Sequence, residues 1–319
     1  MGIMSNELGS PSQSRKLEEQ AQKLVDASSA GDIPHLEALL AGVQDFNRDP
    51  AHLPTDGFLL QTAAKQGHAE CIRFLFERLP GCRARPNKRW DPLLPDGYSY
   101  ADIPDKWHVY EDGVIHEAIG GKDPVGLFRV FFDCGMNPNV GLGYAGSPLA
   151  QAVSSNQLPL TEYLLSRGAD PNGTYMSHSL LGVAARQSTD DVLRALVGHG
   201  ALVAGSQALQ QAAHYWRART AETLLRHGAD INEVFTREQY DDSMQLVRLP
   251  LGGALHFAVE DGMRGAGPAE QSDFVRFLLG RGARTDLVND RGETPVQMAE
   301  RLGKTSIVDV LNRGAWTRS

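Results

Sequence analysis

LLSRGADPN, residues 164–172, is the phrase on which the fold turns. Two leucines finish an apolar stripe, and Gly168 stands where a chain leaves a helix through the left-handed region that side chains resist. The phrase returns as LLRHGADIN at 224–232, LVGHGALVA at 196–204, LLGRGARTD at 278–286 and, in worn form, FFDCGMNPN at 131–139. The closing glycines, Gly135, Gly168, Gly200, Gly228 and Gly282, lie 33, 32, 28 and 54 residues apart. A spacing of this size predicts stacked helical units, none of which can bury its apolar face alone.

Working outward, the pattern predicts units near 20–42, 57–79, 112–139, 146–172, 179–204, 206–232, 253–286 and 290–313. The first and last serve as caps. Together they form a single domain over 15–319, preceded by a polar, Ser-containing tail at 1–14 that reads as disordered. The period breaks twice. Residues 80–111 are rich in proline and carry Trp90, Trp107, Tyr98, Tyr100 and Tyr110, a content that argues for a functional insertion over a disordered one. Residues 233–252 account for the long 54-residue interval and read as a second loop insertion. The expected class is all-α, a helical repeat solenoid of about eight repeats.

Composition narrows the function. The chain of 319 residues is 41% hydrophobic and 22% charged, with a net charge of −8. It lacks the basic stripe of a nucleic-acid binder. No apolar stretch is long enough to span a membrane. Three cysteines, Cys71, Cys82 and Cys134, with no CxxC pair, fit a reduced cytoplasmic or nuclear compartment. Met1-Gly2 begins like a myristoylation site, but Asn6 stands where that motif wants Ser or Thr.

The openings GSPLAQAV, GALHFAV and GETPVQMA, paired with the GAD-x-N endings, resemble the ankyrin repeat. The resemblance covers about 24–79 and 112–311. It implies antiparallel helix pairs, hairpin fingers projecting to one side, and a concave binding groove formed by fingers and first helices. It also implies that His116 and His256, and His68 in its Gly-His turn, hydrogen-bond turn backbone. Small residues such as Ala63, Ala64, Ala184, Ala185, Ala212 and Ala213 let first helices approach, and paired leucines, among them Leu164 and Leu225, fill the space between layers.

Other motifs have structural explanations. GLGYAG at 141–146 satisfies the dinucleotide-loop spacing, but no strand precedes it, so it reads as a fingertip. Asn139, Asn172 and Asn232 suit turns. His68 and Cys71 share a helical face without further ligands at zinc spacing, so neither a metal nor a cofactor is expected.

By the resemblance, the residues after the small pair face the groove: Lys65 and Gln66, then Gly120 and Gly121, Ser154 and Ser155, Arg186 and Gln187, His214 and Tyr215, Glu260 and Asp261. The middle is small and its flanks polar. One reading is a scaffold that binds a protein partner in the groove, with the aromatic insertion as an added arm and Trp107 and Tyr110 as anchors. Its acidity favours a basic or neutral partner. The other is a small-molecule binder, or an acid–base isomerase, cyclase or lyase, with Trp107, Tyr110, Tyr144 and Tyr175 as walls. There His108, His178, His214, Lys65, Arg186 and Glu260 supply polar groups, with His214 or His108 as base and Arg186 holding developing negative charge. Gly121→Trp fills the gap in either case. The residues do not distinguish oligomeric states.

Overall fold

The computed structural model describes residues 11–42, 56–79, 112–142, 146–176, 178–187, 189–240, 246–260 and 267–316. The insertion 80–111, Cys82 and the first ten residues of the expected tail lie outside them. The chain divides into two compact units, 1–143 and 144–319.

Among the described residues, unit 1 holds three helix pairs: α1 (Pro11–Ala30) with α2 (Ile33–Ala41), α3 (Asp56–Gln66) with α4 (Ala69–Arg78), and α5 (Asp112–Gly120) with α6 (Pro124–Asp133). Helix begins at Pro11, so the expected tail boundary at residue 14 is too late. The first helices α1, α3 and α5 pack in succession through Leu24, Leu59, Ala63, Ala64, Ile115 and Ala118, all fully buried. Residues Ala63 and Ala64 are small enough to let the helices close up. Second helices α4 and α6 meet through rings. Phe131 is fully buried, 6.1 Å from Phe76 and 5.4 Å edge-on from Phe128.

Among its described residues, unit 2 holds five pairs: α7 (Pro148–Ser154) and α8 (Leu158–Ser166); α9 (Leu180–Ala185) and α10 (Asp191–Gly198); α11 (Ala208–His214) and α12 (Ala218–Arg226); α13 (Ala254–Val259) and α14 (Pro268–Gly280); α15 (Pro295–Arg301) and α16 (Thr305–Trp316). The first helices α7, α9, α11, α13 and α15 pack each on the next. Their starts are written locally. Ser147 accepts from the Ala150 amide, Ser179 from Gly182, and Thr294 forms a capping box with Gln297. Pro148 and Pro295 occupy first-turn positions that need no amide.

The recurring phrase closes each second helix in one way. Gly135, Gly168, Gly200, Gly228 and Gly282 have φ of 89, 89, 89, 87 and 98°. The residue after each glycine returns an amide to the last helical turn: Met136 to Phe131, Ala169 to Leu164, Ala201 to Leu196, Ala229 to Leu224 and Ala283 to Leu278. This is the Schellman closure, which satisfies carbonyls a helix end would leave unpaired. The leucine pairs are not buried alike, and Leu165 is buried beside Leu164. Leu164 and Leu224 are fully buried, whereas Leu225, expected in the core, is half-buried.

Among the described residues two hairpins break the all-helical pattern. β1 (Thr174–Tyr175) pairs with β2 (His178–Ser179). The second insertion, read from sequence as a loop, is an antiparallel ladder of β3 (Phe235–Tyr240) with β4 (Leu246–Gly252). Its register is irregular between Phe235 and Thr236, and Thr236 stands opposite Pro250. Proline has no amide for a ladder, so it belongs beside such an irregularity.

Candidate functional site

In unit 2 the segments joining one pair to the next are tied together by asparagine. The Asn172 side chain accepts from the Leu202 amide at 2.8 Å and donates to the Gly200 carbonyl at 3.4 Å. Asn232 repeats this two pairs later, accepting from Arg284 N at 2.8 Å and donating to Gly282 O at 3.3 Å. Sequence reasoning placed these residues in turns and missed that they bridge pairs. His256, buried, accepts from the Gly253 amide at 3.2 Å, and its Nε2 lies 3.0 Å from the Glu293 carbonyl of the following finger. Burial holds its pKa below the usual histidine value. Ser179 donates to the Ser206 carbonyl of the next finger. Two of these linked fingers expose large apolar side chains, Met176 at 63% and Leu202 at 68%.

The expected groove row of unit 2 is well described except for Asp261. Ser154 donates to the Gln151 carbonyl, and Ser155 is exposed. Gln187 reaches back to the Val153 and Ser154 carbonyls at 3.4 and 3.3 Å, at the end of α7. His214 Nδ1 lies 3.1 Å from Glu260 Oε2, with Tyr215 edge-on to the imidazole at 5.0 Å. Trp216 follows at φ 50°, a position that α3–α4 and α15–α16 give to Gly67 and Gly303. A bulky side chain in this region is strained. Its indole donates to the Ala258 carbonyl at 3.0 Å, and Gln271 and Lys304 donate to carbonyls of the same helix end, α13.

Arg186, at the end of α9, has a buried Nε with no hydrogen-bond partner. Burial, with a smaller contribution from the Arg186 charge, pushes the His178 pKa down. Tyr175 stands directly across the ladder from His178. Of the acid–base candidates, His214 and Glu260 are brought together.

In unit 1, Lys65 is exposed and Gln66 half-buried. Gly121 is not the open space expected. A Cβ there would stand 2.5 Å from the Ala64 carbonyl oxygen and 2.9 Å from that of Glu117, so Gly121→Trp would displace backbone instead of filling a gap. Gly120 is the open position, with nothing within 4 Å. Trp107, His108, Tyr110 and Tyr144 lie outside the described residues, as does Asp261. A cleft of about 530 Å³ lies away from the row, against α14 and α16, lined by Ser272, Arg276, Ser306, Asp309 and Arg313 among others. Among the described residues no group of three His, Cys, Asp or Glu side chains is placed to hold a metal ion, and no helix is long and apolar enough to cross a membrane.

Comparison with known proteins places this geometry. Residues 149–234 match the family model of ankyrin repeats in three copies. A solved ankyrin repeat domain from Acinetobacter baumannii AYE is similar to the chain, at 25% sequence identity and a TM-score of 0.50, over 63% of this chain and 97% of that one. No curated protein matches it.

Proposed function

This chain carries ankyrin repeats, and we propose that it is a protein-interaction module whose second unit seats a segment of a protein partner across its fingers and first-helix ends. The observation that carries the reading is the pair of exposed apolar side chains, Met176 and Leu202, on fingers that Asn172 locks together. Large apolar groups held at fixed spacing on a rigid support suit an interface, because ordering them costs little when a partner docks. Ser154, Ser155, Arg186, Gln187, His214, Tyr215 and Glu260 supply the polar surround. The net charge of −8 favours a basic or neutral partner overall.

The same reading gives the insertion 80–111 the role of a second contact, on its aromatic content alone. It also places the protein in a reduced intracellular compartment. Cys71 is free and buried, its thiol pushed up to about 11 by burial against a smaller opposing hydrogen bond with Ser28. Cys134 is also free.

The test is site-specific photo-crosslinking in cells. A crosslinker at Leu202 is expected to capture a partner that one at Arg226, exposed near the end of α12, does not. The double variant M176D/L202D is expected to lose that partner while unfolding stability changes by about 0.5 kcal/mol or less, as for surface substitutions. Capture that survives the double variant, or that concentrates at Arg226, would overturn the proposal.

A further inference from the structure

We infer that the outer edge of β3 docks an extended segment of the protein partner, which pairs with it antiparallel as a third strand. This rests on the partner-binding reading of unit 2 and adds the conformation and charge order of what binds there.

The β3–β4 ladder is a two-stranded sheet, paired from Phe235↔Gly252 to Tyr240↔Leu246. A hairpin of two strands is marginal by itself in water, and each strand turns every second amide and carbonyl away from its partner. The two outer edges are not alike. On β4, the step from Phe235↔Gly252 to Thr236↔Pro250 leaves Leu251 as an extra residue, and Pro250 brings no amide. A bulge and a proline are devices that blunt a strand against further pairing. β4 also leads into α13 and packs against it. β3 pairs residue for residue from Thr236 to Tyr240 and contains neither device.

The second observation is what lies beside β3. Glu233, just ahead of the strand, accepts from the Gly205 amide at 2.8 Å, and its carbonyl accepts from Gln210 at 3.0 Å. At its root, then, β3 is on the side of the finger 201–207, and β4 is on the side of α13. That finger is short. Residues 201–207 join Gly200 to α11, whereas 169–179 and 283–294 join Gly168 and Gly282 to their next first helices. It contains no strand, and among the described residues no third strand joins the β3–β4 sheet. Its Leu202 is 68% exposed. The row of fingers is thus interrupted next to the unblunted edge, and an apolar side chain is exposed at the interruption.

Charge order selects the occupant. Opposite residues in an antiparallel pair share a face, and each strand alternates faces, so two copies of β3 about a two-fold axis pair odd positions with odd and even with even. The registers that keep most of the strand set Arg237 against Arg237 or Glu238 against Glu238. Like charges directly opposite are destabilising, so β3 disfavours a second copy of this chain. A foreign strand that reads basic then acidic, from N to C, meets Glu238 with its base and Arg237 with its acid. In this mode of recognition main-chain bonds supply affinity and side-chain order supplies selectivity.

The test uses the isotope-labelled full chain and the end-blocked peptide Val-Thr-Lys-Glu-Thr-Val, with amide exchange of β3 read by NMR. Alternate amides between Thr236 and Tyr240 should slow by about tenfold or more at saturating peptide. The peptide Val-Thr-Glu-Lys-Thr-Val, with its charges exchanged, should bind about fivefold more weakly. The first peptide N-methylated at every peptide bond should slow none of them, because it has no donor to offer. Arg237→Glu/Glu238→Arg is expected to reverse the preference between the two peptides, which apolar contact alone would not do. Unchanged β3 exchange with the first peptide would overturn the docking edge, as would equal slowing by its N-methylated form or an unreversed preference in the exchanged variant. Slowing that grows with protein concentration in the absence of peptide would give the edge to a second copy instead. Each of these failures leaves the crosslinking test at Leu202 standing, so the two readings fail separately.

Discussion

In unit 1 the second helices meet through rings, with Phe131 packed between Phe76 and Phe128. In unit 2 the buried faces of the equivalent helices are mainly aliphatic, with Leu164, Leu165, Leu193, Leu196 and Leu224 joined on α14 by Phe274 and Leu278, while hydrogen bonds from Asn172, Asn232, His256 and Ser179 run from finger to finger. Apolar burial is strong but indifferent to small slips, whereas a hydrogen bond is weaker and fixes position. A surface assembled from side chains of successive repeats depends on position. Among the described residues, these directional ties join the same fingers that expose Met176 and Leu202.

The sharpest way to break this comparison is to empty the ring cluster. Phe131→Ala is expected to cost about 3–5 kcal/mol, read as a fall in the urea midpoint of unit 1 reported by hydrogen exchange over 112–133. Leu164→Ala should approach that loss in unit 2, at about 2–5 kcal/mol, and Leu225→Ala should fall well short of it because Leu225 is only half-buried. Equal losses at 164 and 225 would show that the two leucines share the core.

A smaller effect separates directional from apolar support by pH. Asp190 is buried, which alone would raise its carboxyl, but hydrogen bonds from Arg194 and then Thr223 hold it below the usual range. A depressed folded pKa contributes stability above the unfolded value of about 3.9, and this is lost as pH falls further. His256 is also held down, so its contribution is complete above about pH 6.5 and declines below it. Urea midpoints at pH 7.5, 5.5 and 3.5 should therefore fall in two stages, and Asp190→Asn should flatten the second. Its cost at neutral pH is expected to be about 1–2 kcal/mol, limited by the half-exposure of Arg194. An unchanged acid limb would remove Asp190 from the account.

The smallest expected effect tests the fingers. Asn172→Ala and Asn232→Ala should each cost about 0.5–1.5 kcal/mol, because the groups freed at exposed Asn172 and half-buried Asn232 can turn to water. Their larger signature should be faster amide exchange at Leu202 and Arg284, the two amides they hold. Protection unchanged at both would show that the fingers keep register by other means.

Much of this fold was legible because its punctuation is local. Gly168 and its counterparts mark the helix ends within a single phrase, and the apolar stripe needs no distant partner to be recognised. The β3–β4 ladder was not legible. Asp241-Asp242 and Pro250 read as loop residues, and pairing between Phe235 and Gly252 leaves no mark on either strand alone. The asparagine bridges were half legible, since Asn172 and Asn232 recur in phase, but their acceptors lie on the next finger. At the candidate site, Arg186 and His178 were each singled out by residue type. The Arg186 charge reaches His178 only as the smaller of two causes of its lowered pKa, and no spacing rule announces that. The displaced gap, at Gly120 instead of Gly121, turns on which of two adjacent glycines meets the Ala64 carbonyl.

Asn232 holds residues 282 and 284 although the long β3–β4 hairpin intervenes, just as Asn172 holds 200 and 202 with only the short β1–β2 hairpin between them. The stack thus behaves as if the extra strands were not there. They hang from a socket whose two rims, Asn232 and the Gly253–His256 turn, are fastened independently to the following finger. Such a socket lets the loop between its rims lengthen, shorten or be exchanged over generations without renegotiating the scaffold, and it marks residues 235–252 as the place where a foreign loop could be grafted onto this protein.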